Sequence, residues 1–239
     1  MKNSAASQGP SRRPVCPRCQ RPHRTCCCTW VRPVANALPV WVFQHPEEVG
    51  QAKGSLTLLA LSLQACRVEV AERIDAQALA RARDWLGARP RLLYPPAAVA
   101  SSEAAAGDLE SRRELVPPGE GPPTGLLVLD ATWRKSRKML HLSPALAAWP
   151  RLSLQAPPDS RYAGLRRAPQ PQAQRSTLEA TCLALADLSQ DARPYAELLA
   201  AFGQWCACLA VDFRPVPPRL ADAPPTPASQ PPVADAGQA

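Results

Sequence analysis

At 239 residues, 46% of them apolar, the chain is long enough to bury one sizeable core. A formal charge of +8 and a pI near 9.3 favour a polyanionic partner, nucleic acid above all. No run of about 18 apolar residues occurs, which excludes a transmembrane helix, and the polar, basic start has no apolar leader, so a signal peptide is not expected.

Residues 1–13 carry Ser, Gly, Pro and Arg with almost nothing apolar and are expected to be disordered. Residues 14–36 form a small Cys-rich module. Five of the nine cysteines fall between positions 16 and 28, in a C-x2-C-x6-C-x-C spacing if Cys27 is a bystander. Clustered cysteines, odd in total, favour metal binding in a reducing compartment over a disulfide framework, and cytoplasm is the expected location. Cys16, Cys19, Cys26 and Cys28 supply two thiolate pairs suited to tetrahedral zinc, with His23 or Cys27 as a replacement for one ligand. Four protein ligands leave no open position, so the role is structural. Arg18, Arg21 and Arg24 are expected to extend a basic surface toward RNA.

Leu38 to Gln44 has the β-branched and aromatic character of a strand ending at His45-Pro46-Glu47-Glu48. Ser55 caps an apolar helix from Leu56 to about Gln64. Asp75 to Leu86 reads as an amphipathic helix with Leu79, Ala82 and Leu86 on one face. Arg91 to Tyr94 is a short strand stopped by prolines. Residues 97–123 are polar and rich in Pro, Gly and Glu, an expected long loop or insertion.

The densest chemistry lies between Gly125 and Leu142. Leu126 to Leu129 reads as a strand buried on both faces, and Asp130 stands at its carboxyl end, where open α/β sheets bind ligands. Thr132 is an N-cap for a helix bearing Arg134, Lys135, Arg137 and Lys138, cations expected to track phosphates. Trp133 offers either a stacking face for a base or packing under that helix. Arg151 to Gln155 is another short strand. A basic loop containing Arg166 and Arg167 then leads to Ser176-Thr177-Leu178-Glu179, a capping box whose helix start can receive a carboxylate or phosphate. Pro194 to about Leu209 is a last helix, and residues 214–239 are an expected disordered tail rich in Pro and Ala.

Asp130-Ala131-Thr132-Trp133 resembles the Asp-x-Thr-Trp motif of the DTW-domain family. Three further stretches agree with it in order: the Cys cluster followed by Arg-Pro, the His45-Pro-x-Glu strand end, and Ser176-Thr-x-Glu-Ala. The resemblance implies an α/β, SPOUT-like catalytic domain over residues 37–213 with a C-terminal knot that binds S-adenosylmethionine. It implies transfer of the 3-amino-3-carboxypropyl group to N3 of a uridine in tRNA, with 5′-methylthioadenosine released and the variable loop as the expected location. Asp130, Thr132 and Trp133 are then the expected catalytic residues, with Asp130 as general base and Glu47 or Glu48 as alternatives. The expected S-adenosylmethionine pocket has an apolar wall from Leu127, Leu129 and Leu178, with Ser176, Thr177, Glu179 and the amides behind them receiving the carboxylate. A SPOUT-type RNA methyltransferase and a non-catalytic zinc-ribbon RNA-binding protein are the competing expectations.

Overall fold

The strand Val40–Gln44 (β1) shows why the fold takes its form. Its first four residues are all buried, and alternation sends Val40 and Val42 to one face and Trp41 and Phe43 to the other. A strand buried on both sides needs cover on both sides. The computed structural model describes residues 14–95, 121–155, 157–165, 174–189 and 191–212. Five parallel strands make one sheet in the order β2-β1-β4-β3-β5. The others are Cys66–Val70 (β2), Pro90–Leu93 (β3), Gly125–Asp130 (β4) and Arg151–Leu152 (β5).

Helices Leu56–Ser62 (α1), Thr177–Leu188 (α5) and Arg193–Asp212 (α6) cover the Val40/Val42 face, packing Leu58, Leu59, Leu178, Leu185 and Trp205 against Leu126 and Val128. Helices Ala76–Leu86 (α2), Trp133–Leu142 (α3) and Pro144–Ala147 (α4) cover the opposite face. There Leu79, Leu86, Met139 and Leu146 meet Trp41, Phe43, Leu127 and Leu129. Asp75 caps α2 by accepting from the Ala78 N–H, and Gly87 closes it at φ +86, a conformation suited to glycine. Gly125 lets β4 pass under that end: a Cβ there would stand 2.8 Å from the Leu86 carbonyl oxygen.

The chain leaves β1 toward α1 on one face and leaves β4 toward α3 on the other, and the two strands are neighbours with Gln44 in register with Asp130. Divergent connections open a crevice at the carboxyl ends of such a pair, the usual ligand position in open α/β sheets. The cysteine module shares the core of the α1/α5/α6 face: Cys16, Cys19 and Cys27 belong to the same cluster as Trp205, Cys206 and Leu209. Strand β2 is an element absent from the expected set, although its residues alternate in the period of a strand. β5 is shorter than the expected Arg151–Gln155, and α6 runs longer than Pro194–Leu209. The expected disordered ends, most of the 97–123 loop, and Arg166 and Arg167 lie outside the described residues.

Candidate active site and four-cysteine centre

Asp130 ends β4 beside Gln44, which ends β1. Its Oδ2 accepts from Gln44 Nε2 at 2.9 Å, and its Oδ1 accepts from Thr177 Oγ1 at 2.6 Å. Two motifs separated by 47 residues thus meet at the crevice between the diverging connections. Gln44 was absent from the expected site. Its signal was present, since a polar residue directly ends the apolar run of β1 just as Asp130 ends that of β4.

The α5 start forms as its sequence implies. The Glu179 N–H donates to Ser176 Oγ, and Glu179 Oε2 accepts from the Ser176 N–H at 2.8 Å, completing the capping box. The rest of the Glu179 carboxylate is also engaged, with Oε2 accepting from Ser160 Oγ at 2.8 Å and Oε1 from the Arg161 N–H at 2.6 Å. Glu179 is buried and ties residues 160–162 to the helix start. The amides behind Thr177 are likewise occupied: Leu178 N–H donates to Ser55 Oγ, Glu179 N–H to Ser176 Oγ, and Ala180 N–H to the Ser176 carbonyl. Among the described residues the Thr177 N–H is the amide of this group with no bonding partner, next to the Thr177–Asp130 bond.

Leu127 and Leu129 do not share a wall with Leu178. The sheet separates them: the first two pack with α2 and α3, and Leu178 packs with α1 and α6.

The Asp-x-Thr-Trp residues take three different positions. Thr132 is the N-cap of α3, accepting from the Lys135 N–H at 3.4 Å. Trp133 follows it and is 39% exposed, with its ring edge-on to Tyr94 at 5.6 Å. Tyr94 is buried, donor or acceptor to Ser136 Oγ at 3.1 Å, and carries the Arg151 guanidinium over its ring. Trp133 is therefore partly exposed and braced by the buried Tyr94.

The cations of α3 divide into two pairs. Arg134 and Arg137 are exposed and carry no ion pair among the described residues. Lys135 Nζ instead stands 2.7 Å from Glu48 Oε1 and 3.0 Å from Glu47 Oε2. Lys138 Nζ pairs with Glu72 Oε1 at 2.6 Å. Both lysines lie where phosphate contacts were expected, but each is already paired with a carboxylate. Lys135 holds the Glu47 carboxyl below its ordinary value, and Lys138 with His45 does the same for Glu72. His45 is a satisfied turn histidine. Its Nδ1 accepts from the Glu47 N–H at 3.1 Å, which leaves Nε2 to carry the proton toward Glu72 Oε1 at 3.4 Å.

The sulfurs of Cys16, Cys19, Cys26 and Cys28 all lie within 4.8 Å of one another, with Cys16–Cys28 and Cys19–Cys26 each at 3.7 Å. Tetrahedral zinc with Zn–S bonds of about 2.3 Å spaces its sulfurs about 3.8 Å apart, so this donor set fits that ion. The Cys19 and Arg18 backbone N–H groups draw the Cys16 thiol down to about 6, whereas burial and the other sulfurs push Cys28 up. Four thiolates at this spacing require a cation to ionise together. Neither proposed substitute joins the group: His23 is exposed, and Cys27 is fully buried with its thiol pushed up to about 12 by desolvation. Arg18 and Arg24 are exposed, but Arg21 is 5% exposed and turns inward, away from the expected RNA surface.

No helix among the described residues is long and apolar enough to cross a membrane. The chain is 26% identical over 188 residues to mouse tRNA-uridine aminocarboxypropyltransferase 2, and 25% identical over 190 residues to the same-named protein of Macaca fascicularis. Each alignment covers 75% of this chain and 58% of the relative. It is 32% identical over 142 residues to tRNA-uridine aminocarboxypropyltransferase A of Arabidopsis thaliana, covering 55% of this chain and 52% of that one. The chain therefore spans little more than half the length of these relatives, and no solved structure matches it. A model of the DTW domain matches residues 13–209, a span that takes in the four-cysteine centre, Asp130 and the α5 start together, and the chain belongs to the DTW-domain family.

Proposed function

We propose that this chain is an S-adenosylmethionine-dependent tRNA-uridine aminocarboxypropyltransferase acting on N3 of a uridine. The observation that carries the reading is the 2.6 Å bond from Thr177 Oγ1 to Asp130 Oδ1, which sets a carboxylate and a helix N-terminus side by side at the sheet's switch point. When bound, S-adenosylmethionine supplies the 3-amino-3-carboxypropyl group and leaves as 5′-methylthioadenosine. Thr177, through its N–H and the positive end of α5, is the residue to receive that group's carboxylate, with Ser176 and Glu179 fixing the helix start.

Asp130 accepts the N3 proton as the new bond forms, because uridine N3 is a weak nucleophile while protonated. Gln44 and Thr177 hold the carboxylate's orientation. Trp133 offers its face to a base, and Arg134 and Arg137, with Arg166 and Arg167 of the stretch before α5, meet phosphates. Thr132 acts through the helix it caps. The four cysteines hold a structural zinc. The same reading carries a SPOUT-like domain over residues 37–213 with a C-terminal knot, and a cytoplasmic location.

The test is mass spectrometry of unmodified tRNA incubated with the protein and S-adenosylmethionine. A uridine heavier by the aminocarboxypropyl group, with methylthioadenosine released, supports the reading. A methyl-sized gain with S-adenosylhomocysteine replaces it by a SPOUT-type RNA methyltransferase. Salt-sensitive tRNA binding with no mass gain replaces it by a non-catalytic zinc-ribbon RNA-binding protein.

A further inference from the structure

Arg21 belongs to the cysteine hairpin by its backbone and to the domain by its side chain. Its carbonyl accepts from the Cys16 N–H at 2.7 Å, within the turn that carries Cys16 and Cys19. Its side chain then leaves the hairpin and is buried under the loop between β1 and α1. Nη1 donates to the Ala52 carbonyl at 2.5 Å, and Nη2 donates to the Gly54 carbonyl and toward Thr57 Oγ1. The guanidinium lies 5.0 Å from the centroid of the Trp205 ring on α6. Among the described residues no carboxylate pairs with it.

A buried cation without a counterion is a costly way to fill space, and an apolar residue of the same length packs there more cheaply. What the planar fork adds is direction: it fixes two carbonyls of the loop and a hydroxyl in the first turn of α1 at once. That loop touches the candidate active site. Ser55 Oγ accepts from the Leu178 N–H at the start of α5, and the Lys53 carbonyl accepts from Tyr162 Oη at 2.6 Å. Tyr162 follows Ser160 and Arg161, which both donate to Glu179 of the capping box. Adjoining Leu178 is Thr177, which donates to Asp130.

We infer that Arg21 is a positioning residue. It carries the folded state of the four-cysteine centre through residues 52–57 to the α5 N-terminus, and so holds Thr177 against Asp130. The metal centre then acts on the reaction at a distance, by fixing the helix start that faces the reacting groups, and not by touching substrate. This inference rests on the active-site reading above for its catalytic consequence, but its structural half stands alone.

The test is Arg21→Met, which keeps a long stem and removes the buried charge. The expected variant retains one zinc per chain and a tRNA KM within two-fold, while kcat falls at least ten-fold. Amide exchange at Gly54, Leu178, Glu179 and Ala180 becomes at least ten-fold faster. An unchanged kcat, unchanged exchange at those amides, or loss of zinc from the variant each overturns the inference. If the variant does not fold, zinc is withdrawn from the native protein with a chelator and restored. Faster exchange at the same four amides, reversed by zinc, supports the inference, and a change confined to residues 14–31 overturns it. If the native protein transfers nothing to tRNA, the active-site reading fails and the exchange measurement alone decides the coupling.

Discussion

Thr177 Oγ1 donates to Asp130 Oδ1 at 2.6 Å, joining the first residue of α5 to the last residue of β4. Asp130→Asn is expected to lower kcat by about 10²–10⁴-fold, the usual contribution of a general base, with tRNA affinity within about two-fold. Thr177→Val removes the donor and leaves the carboxylate in place, so its loss is expected to be smaller. Single-turnover modification assays beside filter binding separate the two effects. Unchanged turnover in Asp130→Asn would remove that residue from the chemistry.

The division of the α3 cations predicts two kinds of variant. Arg134→Ala and Arg137→Ala should weaken tRNA binding and each reduce the salt slope, by about 0.7–0.9 for every phosphate left without its cation. Lys135→Ala should leave the slope nearly unchanged, because its charge is already opposed by Glu47 and Glu48. Its cost is expected in thermal stability, and modestly, about 1 kcal/mol or less for a partly exposed pair. Binding titrations across a salt series distinguish the two patterns.

Acid should weaken the same corner of the molecule. Glu47 and Glu72 have folded-state values below the ordinary 4.5, held there by Lys135 and by Lys138 with His45. A depressed carboxyl stabilises the fold above its unfolded value and loses that contribution as pH falls through the folded value. The loss therefore begins near pH 4.5 and deepens below it. Glu72→Gln should flatten the melting-temperature profile in that window, and added salt should shrink the difference between variant and parent.

The cysteines predict a contrast. Cys19→Ser should lose zinc and a large part of the module's protection from exchange. Cys27→Ser should keep one zinc per chain, because Cys27 stands outside the sulfur group. It should still destabilise the fold by about 1–3 kcal/mol, since a hydroxyl is buried where a thiol packs. Metal analysis with calorimetry reads both results, and zinc loss in Cys27→Ser would contradict the ligand set.

Much of the sheet was legible because parallel strands buried on both faces are continuous apolar runs, as in Leu126 to Leu129. Two helix starts were legible through their caps, at Thr132 and Ser176. Strand β2 was missed although Cys66-Arg67-Val68-Glu69-Val70 alternates as a half-buried strand does, because an edge strand lacks the continuous apolar run of the central ones. The site's pairings were illegible for a different reason. Lys135 reads as a surface cation until the fold brings Glu48 to it across 87 residues. Arg21 likewise reads as one member of a basic stretch, and only the position of Trp205 and residues 52–57 shows that it turns inward. Local pattern reports the element a residue belongs to, whereas its partner is a property of the assembled fold.

The packing of Arg21 on Trp205 has a consequence for the order in which the molecule is made. About 180 residues separate them, and at about 5–20 residues per second the ribosome needs about 10–40 s to synthesise that interval. During that time the cysteine hairpin is complete and able to take its metal, but the α6 surface it packs on does not exist. The Arg21 side chain can meet the carbonyls of Ala52 and Gly54 early, but its Trp205 face is completed only when the last helix emerges.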